Sequence, residues 1–287
     1  MGPEALPKFE LAGLGWLEAR IESVADLISY LTWLLEKAHP RYPGQTVYAF
    51  RGQSKAEWPL TPTLLRRLPT NVSEADALVM EDGALQDFMA QAHLHLDAPL
   101  LPPASLDHYL VSWWSQMQHH FAPSRLLDWT ASPFVAAYFA ASEYLNDPGA
   151  IWFVHCKRLT NAARKRGGIL KGGTNQASYF RGVDHPQIVE PLHPRLRANR
   201  MVAQQGLFTV SRNIMTEHSR GILDTLQGPQ GAVEEHEFSK LIIPGEIKRE
   251  LRSRLRYMNL TAASLFPGVD GLGRSVTESV ELFETRP

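Results

Sequence analysis

The chain has 287 residues and 44% hydrophobic content, enough for one large domain or two small ones around a sizeable core. Twenty-nine basic against thirty acidic residues leave a net charge of -1, so no global field draws the protein to nucleic acid or an anionic membrane. A single cysteine, Cys156, excludes an intramolecular disulfide. No apolar run approaches bilayer length, and no arginine-led apolar segment resembles a signal peptide, which together read as a cytoplasmic protein without a membrane partner.

Residues 1–15 bear Gly and Pro and are expected to be loose. From Ser23 onward Val24, Leu27, Ile28, Leu31 and Leu35 recur with helical period, Ser23 and Asp26 are spaced as a capping pair, and HPRYPG stops the helix. TVYAF, residues 46–50, reads as a strand ending at Arg51 and Gly52, a place suited to an anion clamp. Residues 54–72, with Pro59, Pro62 and Pro69, read as irregular; 74–96 reads as helix, broken by PLLPPAS. A helix from Ser105 or Leu106 carries Leu110, Trp113 and Met117 along one face and leads to His119 and His120.

The stretch from Gln118 to Ala140 is the densest in chemistry. It sets Arg125, Asp128, Trp129, Thr130 and Ser132 directly ahead of an apolar helix, where Ser132 and Pro133 form a helix start. Polar groups crowded there are costly unless a ligand, a partner or each other satisfies them. That helix is expected to run to about Asn146. AIWFVHC, 150–156, then reads as a buried strand, residues 157–195 as long loops, 204–210 as turn then strand and 238–244 as strand. Ile247, Leu251, Leu255 and Met258 mark a helix, and LFPGVDGLG leads to a last one through Phe283. Strands scattered between helices without regular βαβ alternation favour an α+β fold.

FRGQ at 50–53, QHH and SRLLDWT at 118–130, SPFVAAYFA, RMVAQQGLF at 200–208 and LFPGVDGL at 265–272 together resemble the FRG-domain family, in its usual order. The resemblance covers roughly residues 45–275, so residues 45–287 are expected to form the FRG domain and 1–44 an N-terminal helical extension. Phe121 and Ala122 stand where the family commonly has Gly-Leu, and Ser124 where it commonly has Thr. A fainter likeness joins Arg51 and Gly52, then Asp128 to Thr130, then Val135, Ala136 and Phe139, to the first two motifs of ADP-ribosyltransferases of the Arg, Ser-Thr-Ser, Glu type. Gln204 is the counterpart by order of their glutamate.

That likeness implies an ADP-ribosyltransferase-like split sheet with packed helices. The implied function is an NAD-dependent ADP-ribosyltransferase, a prokaryotic toxin or phage-defence effector, with NAD as substrate, a protein or nucleic-acid acceptor and a regulatory or antitoxin partner. NAD hydrolysis is the related alternative, and a non-catalytic module binding nucleotide, nucleic acid or protein is the rival from another class. Cleaving the bond between nicotinamide and ribose develops oxocarbenium character, which calls for a cation on the pyrophosphate, hydroxyls for the ribose, an aromatic wall and an acceptor near the ribose. The catalytic set implied is Arg51, Asp128, Thr130 and Gln204. The NAD-binding set is Arg51, Gly52, Gln53, Trp129, Thr130, Ser132 and Tyr138, and no metal is called for.

Bland readings stand beside these. Arg51 is equally suited to a structural bridge with Asp128 or another acid, Arg125 and Asp128 to a clamp, Thr130 and Ser132 to capping, Gln204 to backbone bonding, and the His pair to a capping or core role. The basic spacing at Lys248, Arg249, Arg252, Arg254 and Arg256 reads most simply as a solvated face, and otherwise as the best candidate for a phosphate-rich partner.

Overall fold

The computed structural model describes residues 7–13, 15–38, 45–95, 106–168, 170, 174–193, 199–227 and 233–283. Its frame is an eight-stranded mixed sheet: β1 (Glu10–Leu11), β2 (Leu17–Arg20), β3 (Tyr48–Gln53), β4 (Leu127–Thr130), β5 (Gly149–His155), β6 (Val189–Leu192), β7 (Gly206–Ser211) and β8 (Phe238–Ile243). The order is β1-β2-β8-β5-β3-β4-β7-β6, with only β2 and β8 parallel. This is an α+β protein.

The sheet is nearly two sheets. Strands β3 and β5 pair along six residues, but β3 meets β4 at a single register, Phe50 opposite Thr130. One face of the β3 side packs Phe50, Ile151, Phe153 and Leu241 against α1 (Val24–Lys37), α5 (Pro133–Ala141) and α10 (Gly245–Tyr257). The same face of the β4 side packs Phe208 and Val210 against α3 (Glu74–Ala92), α4 (Leu106–His119), α7 (Gln176–Phe180) and α8 (Asn199–Ala203). The opposite face holds Trp129, Trp152 and Leu207 under α6 (Cys156–Lys165) and α9 (His218–Gln227). Short helices α2 (Thr63–Arg67) and α11 (Ala262–Leu265), then α12 (Val269–Glu281), complete the fold.

Helix α5 lies unusually near the strands because two glycines let it. A Cβ at Gly52 would stand 1.9 Å from the Ala136 carbonyl oxygen, and one at Gly149 2.3 Å from that of Ala140. The helix is otherwise as read from sequence: Ser132 accepts from the Val135 amide at its start and Pro133 opens the first turn.

Several expectations need correction. Within residues 1–44, read as an N-terminal helical extension, β2 adds to the sheet beside β8 and α1 fills the core with Val24, Leu27, Tyr30 and Leu31. Residues 157–195 hold α6, α7 and β6 rather than long loops alone, because Leu159 and Ala163 give α6 an apolar stripe that its lysines and arginines disguise. Strand β3 runs through Arg51 and Gly52 to Gln53, and α5 stops at Ala141. Within residues 1–15, expected to be loose, Glu10–Leu11 pairs with β2, while residues 1–6 and the PLLPPAS breaker lie outside the described residues.

Candidate functional site

The five motifs meet around β4. Antiparallel partners share a face, so Asp128, opposite Phe208, presents its carboxylate where the two halves of the sheet part, and it is exposed. Gln118, at the end of α4, donates its amide N–H to Asp128 Oδ2 and accepts from the Ser124 hydroxyl, which fixes the amide's orientation. Thr130 donates to the Gln204 carbonyl at 2.7 Å, and Gln204 Nε2 donates to the Leu265 carbonyl at 3.0 Å.

Two guanidinium groups stand over one ring at this place. Arg200, on α8, lies 4.5 Å from the Phe266 ring centroid and 5.8 Å from that of Phe121, and Arg274, on α12, lies 4.9 Å from Phe266. Among the described residues neither arginine makes an ion pair. Burial lowers the pKa of Arg200 and Arg274 lowers it further, while the Asp128 carboxylate raises it. Burial, His120 and Arg200 hold His119 below the usual histidine value against the pull of Asp128, so its imidazole is neutral at pH 7. The cluster is therefore a carboxylate, a neutral imidazole and two unpaired cations at the edge of an aromatic ring.

Arg51 is placed differently. Its Cα partner is Trp152, on the face opposite the Asp128 carboxylate, and its guanidinium meets Asp128 only through the backbone: Nη1 donates to the Asp128 carbonyl at 2.7 Å. That carbonyl faces β3 where the strands have already parted, so Arg51 fills a missing rung of the sheet. Its Nε is buried without a partner, and burial lowers its pKa. Nearby, Thr209 Oγ1 accepts from Trp129 Nε1 and lies 2.8 Å from His218 Nδ1. His218, pushed down to about 3 by burial and then by Arg51, stays neutral.

Most of the sequence-read binding residues are used by the fold itself. Gly52 faces α5 and gives it room to approach the sheet. Gln53 is buried, accepting from Trp152 Nε1 and donating to the Pro59 carbonyl. Trp129 is 3% exposed and offers no stacking wall. Tyr138 is buried and donates its hydroxyl to Glu278. Ser132 caps α5. Arg125 is a clamp, but with Glu81: it pairs with that carboxylate, donates to the Phe180 and Arg212 carbonyls and stacks on Trp114. Of the sequence-read set, Asp128 alone offers an ionisable side chain to the open cluster, and Arg200, Arg274 and His119 were missed as its companions. Arg200 and His119 lay inside quoted motifs; nothing in the spacing located Arg274.

Among the described residues no three His, Cys, Asp or Glu gather as a metal site, and no helix is long and apolar enough to cross a membrane.

An α+β protein whose ordered sequence motifs close on one nearly split seam is thereby defined. Residues 46–148, from the approach to β3 to the loop after α5, match the family model of the FRG domain, and the chain carries an FRG domain. No curated protein and no solved structure matches the chain.

Proposed function

We propose that the Asp128 cluster binds NAD and that the chain is an NAD-dependent ADP-ribosyltransferase. The observation that carries this reading is the pairing of an exposed carboxylate with two guanidinium groups that have no acid of their own. Unpaired arginines suit a pyrophosphate. A carboxylate suits the positive charge that develops on the ribose as nicotinamide leaves. In this assignment Arg200 and Arg274 take the clamping role, Asp128 supplies the charge, and Arg51 and Thr130 hold β4 in register.

Gln204 favours a second reading. Its side chain is an amide and is bonded to the Leu265 carbonyl, so the counterpart of the transferase glutamate does not serve the ribose. In that reading the cluster binds a nucleotide without consuming it.

Nicotinamide release from NAD, with and without cell extract, separates the two. Release that needs extract and leaves label on a macromolecule is the expected result, and Asp128→Asn should lower it about 10²- to 10³-fold. Arg200→Ala with Arg274→Ala should abolish the rise in melting temperature caused by NAD. Release without extract makes the chain a hydrolase. A thermal shift without release establishes the binding module, and absence of both overturns NAD as ligand. Growth arrest on expression that Asp128→Asn relieves would extend the reading to a toxin or defence effector.

A further inference from the structure

Helix α6 carries Lys157, Arg158, Arg164 and Lys165, with Arg166 directly after it, and all five are exposed. No Asp or Glu occurs between Asp147 and Asp184. Only Arg158 is paired, with Glu237 at 3.1 Å and Glu234 at 4.0 Å. The other four make no ion pair among the described residues, and three of them are consecutive.

This helix divides two clefts. The first, about 660 Å³, opens between α6 and the ends of β4, β6 and β7; Lys157 and Arg164 line it and no carboxylate does. The second, about 1240 Å³, opens between α6, α9 and residues 186–188 and takes in Arg164, Lys165 and Arg166. Its acids are Asp224 and Glu237, the latter held by Arg158. Asn161 and Arg164 line both clefts, so the two adjoin at these residues and are taken together as one basic groove.

We propose that this groove binds the sugar–phosphate backbone of a single-stranded nucleic acid. A single small anion would answer one or two of the four free cations; a repeating polyanion answers all of them along a helix of ~15 Å. A groove sunk between elements suits one strand. An anionic membrane is disfavoured because the exposed side of α6 carries no large apolar residue to enter the headgroup region. Among the described residues no Phe, Tyr or Trp lines either cleft, so the backbone is held with little base stacking and binding depends only weakly on sequence. The groove is separate from the Asp128 cluster and stands whether or not NAD is turned over there.

Fluorescence anisotropy with a labelled single-stranded oligonucleotide tests this on the full chain. Arg164→Glu, Lys165→Glu and Arg166→Glu together should weaken binding at least ~10-fold at low salt, while Arg256→Glu on α10 leaves it unchanged. The wild-type affinity should fall with salt at a log–log slope of about 3, from four phosphate contacts. If the triple Glu variant does not melt like the wild type, Arg164→Gln, Lys165→Gln and Arg166→Gln are read in its place with the same expectation. The proposal is overturned by absence of binding at low salt, by equal binding of the folded triple variant, or by binding of phosphatidylserine vesicles in preference to the oligonucleotide. Nicotinamide release takes no part in the readout, so failure here is distinguishable from failure of the NAD reading.

Discussion

Helices α10 and α6 are both rich in Lys and Arg, yet they use their charge in opposite ways. On α10, Lys248 is fully buried and donates to the carbonyls of Ser54 at 2.6 Å, Glu143 at 3.3 Å and Tyr144 at 3.0 Å. Arg252 is 3% exposed and reaches Glu281 at 2.8 Å and Glu278 at 3.8 Å; Arg249 donates to the Glu281 carbonyl, and Arg254 pairs with Glu250 one turn away. Only Arg256 is left over. On α6 only Arg158 is engaged, and the rest point at open clefts. Spacing made α10 look like the phosphate-binding face, but what decides is whether carbonyls and carboxylates of the same chain lie within reach. Here the segments after β3 and α5, Glu250 of α10 itself and α12 supply them to α10, and among the described residues nothing supplies them to most of α6.

The largest effect expected from this contrast is at Lys248. Lys248→Met leaves three carbonyls without their donor inside the protein and should lower stability by about 3 kcal/mol, read from the urea midpoint at unchanged m. A midpoint within error of the wild type would make the bonds incidental. Arg252→Ala should cost about 2 kcal/mol. It carries a second consequence, because Glu278 also accepts from Tyr138 and from the Ala262 amide, and together these hold α12 and hence Arg274 in place. The variant should therefore lose part of the NAD thermal shift as well. Full retention of that shift would show that α12 is seated without Arg252.

The exit from α6 gives a pH test. Glu190 is buried, accepts from the Leu170 amide and the Tyr179 hydroxyl, and is pushed up to about 7, chiefly by burial. An acid whose folded pKa lies above its unfolded value binds its proton in the folded state first. Its contribution is thus full below about 4.5 and is lost as pH rises through about 7. Stability should decline across that window, and Glu190→Gln should flatten the decline. An unchanged slope in the variant would assign it to other groups.

How much of this was legible depended on where each side chain's partner sits. Helices α1 and α10 were readable because their apolar period is local and strong, and strands β5, β7 and β8 because each is a short, nearly continuous apolar run. Strand β4 was not: LDWT is four residues long, and what makes it a strand is pairing with Leu207 to Thr209, some eighty residues on. Helix α6 was hidden by the glycines and charges that follow its apolar stripe. At the site, the motifs pointed to Asp128 and its neighbours but not to which faces they occupy. Alternation puts Arg51 and the Asp128 carboxylate on opposite sides of the sheet, a fact fixed by register across β3, β4 and β5, which no single stretch contains.

Phe121 is a case where a departure from the family pattern has a backbone meaning. Its φ is +65°, the left-handed region that favours glycine, and its ring is 75% exposed. Phe121→Gly should therefore raise stability by about 1 kcal/mol, since little burial is lost and the strain is removed. It also removes one of the two rings under Arg200, so NAD binding should weaken while melting temperature rises. A fall in both would mean that the ring packs more than its exposure suggests.

The smallest expected effect is the one that separates the two basic helices most sharply. Arg164→Ala, Lys165→Ala and Arg166→Ala together remove three exposed cations that hold no partner among the described residues, so no hydrogen bond is orphaned. Stability should move by less than about 0.5 kcal/mol on a helix that keeps its Leu159 and Ala163 contacts. The same three changes should weaken oligonucleotide binding markedly. On α10 the single change at Lys248 should do the reverse, lowering stability and leaving that binding untouched. A stability loss of several kcal/mol from the α6 variant would show that its cations are bound inward like those of α10, and the distinction between the two helices would fall.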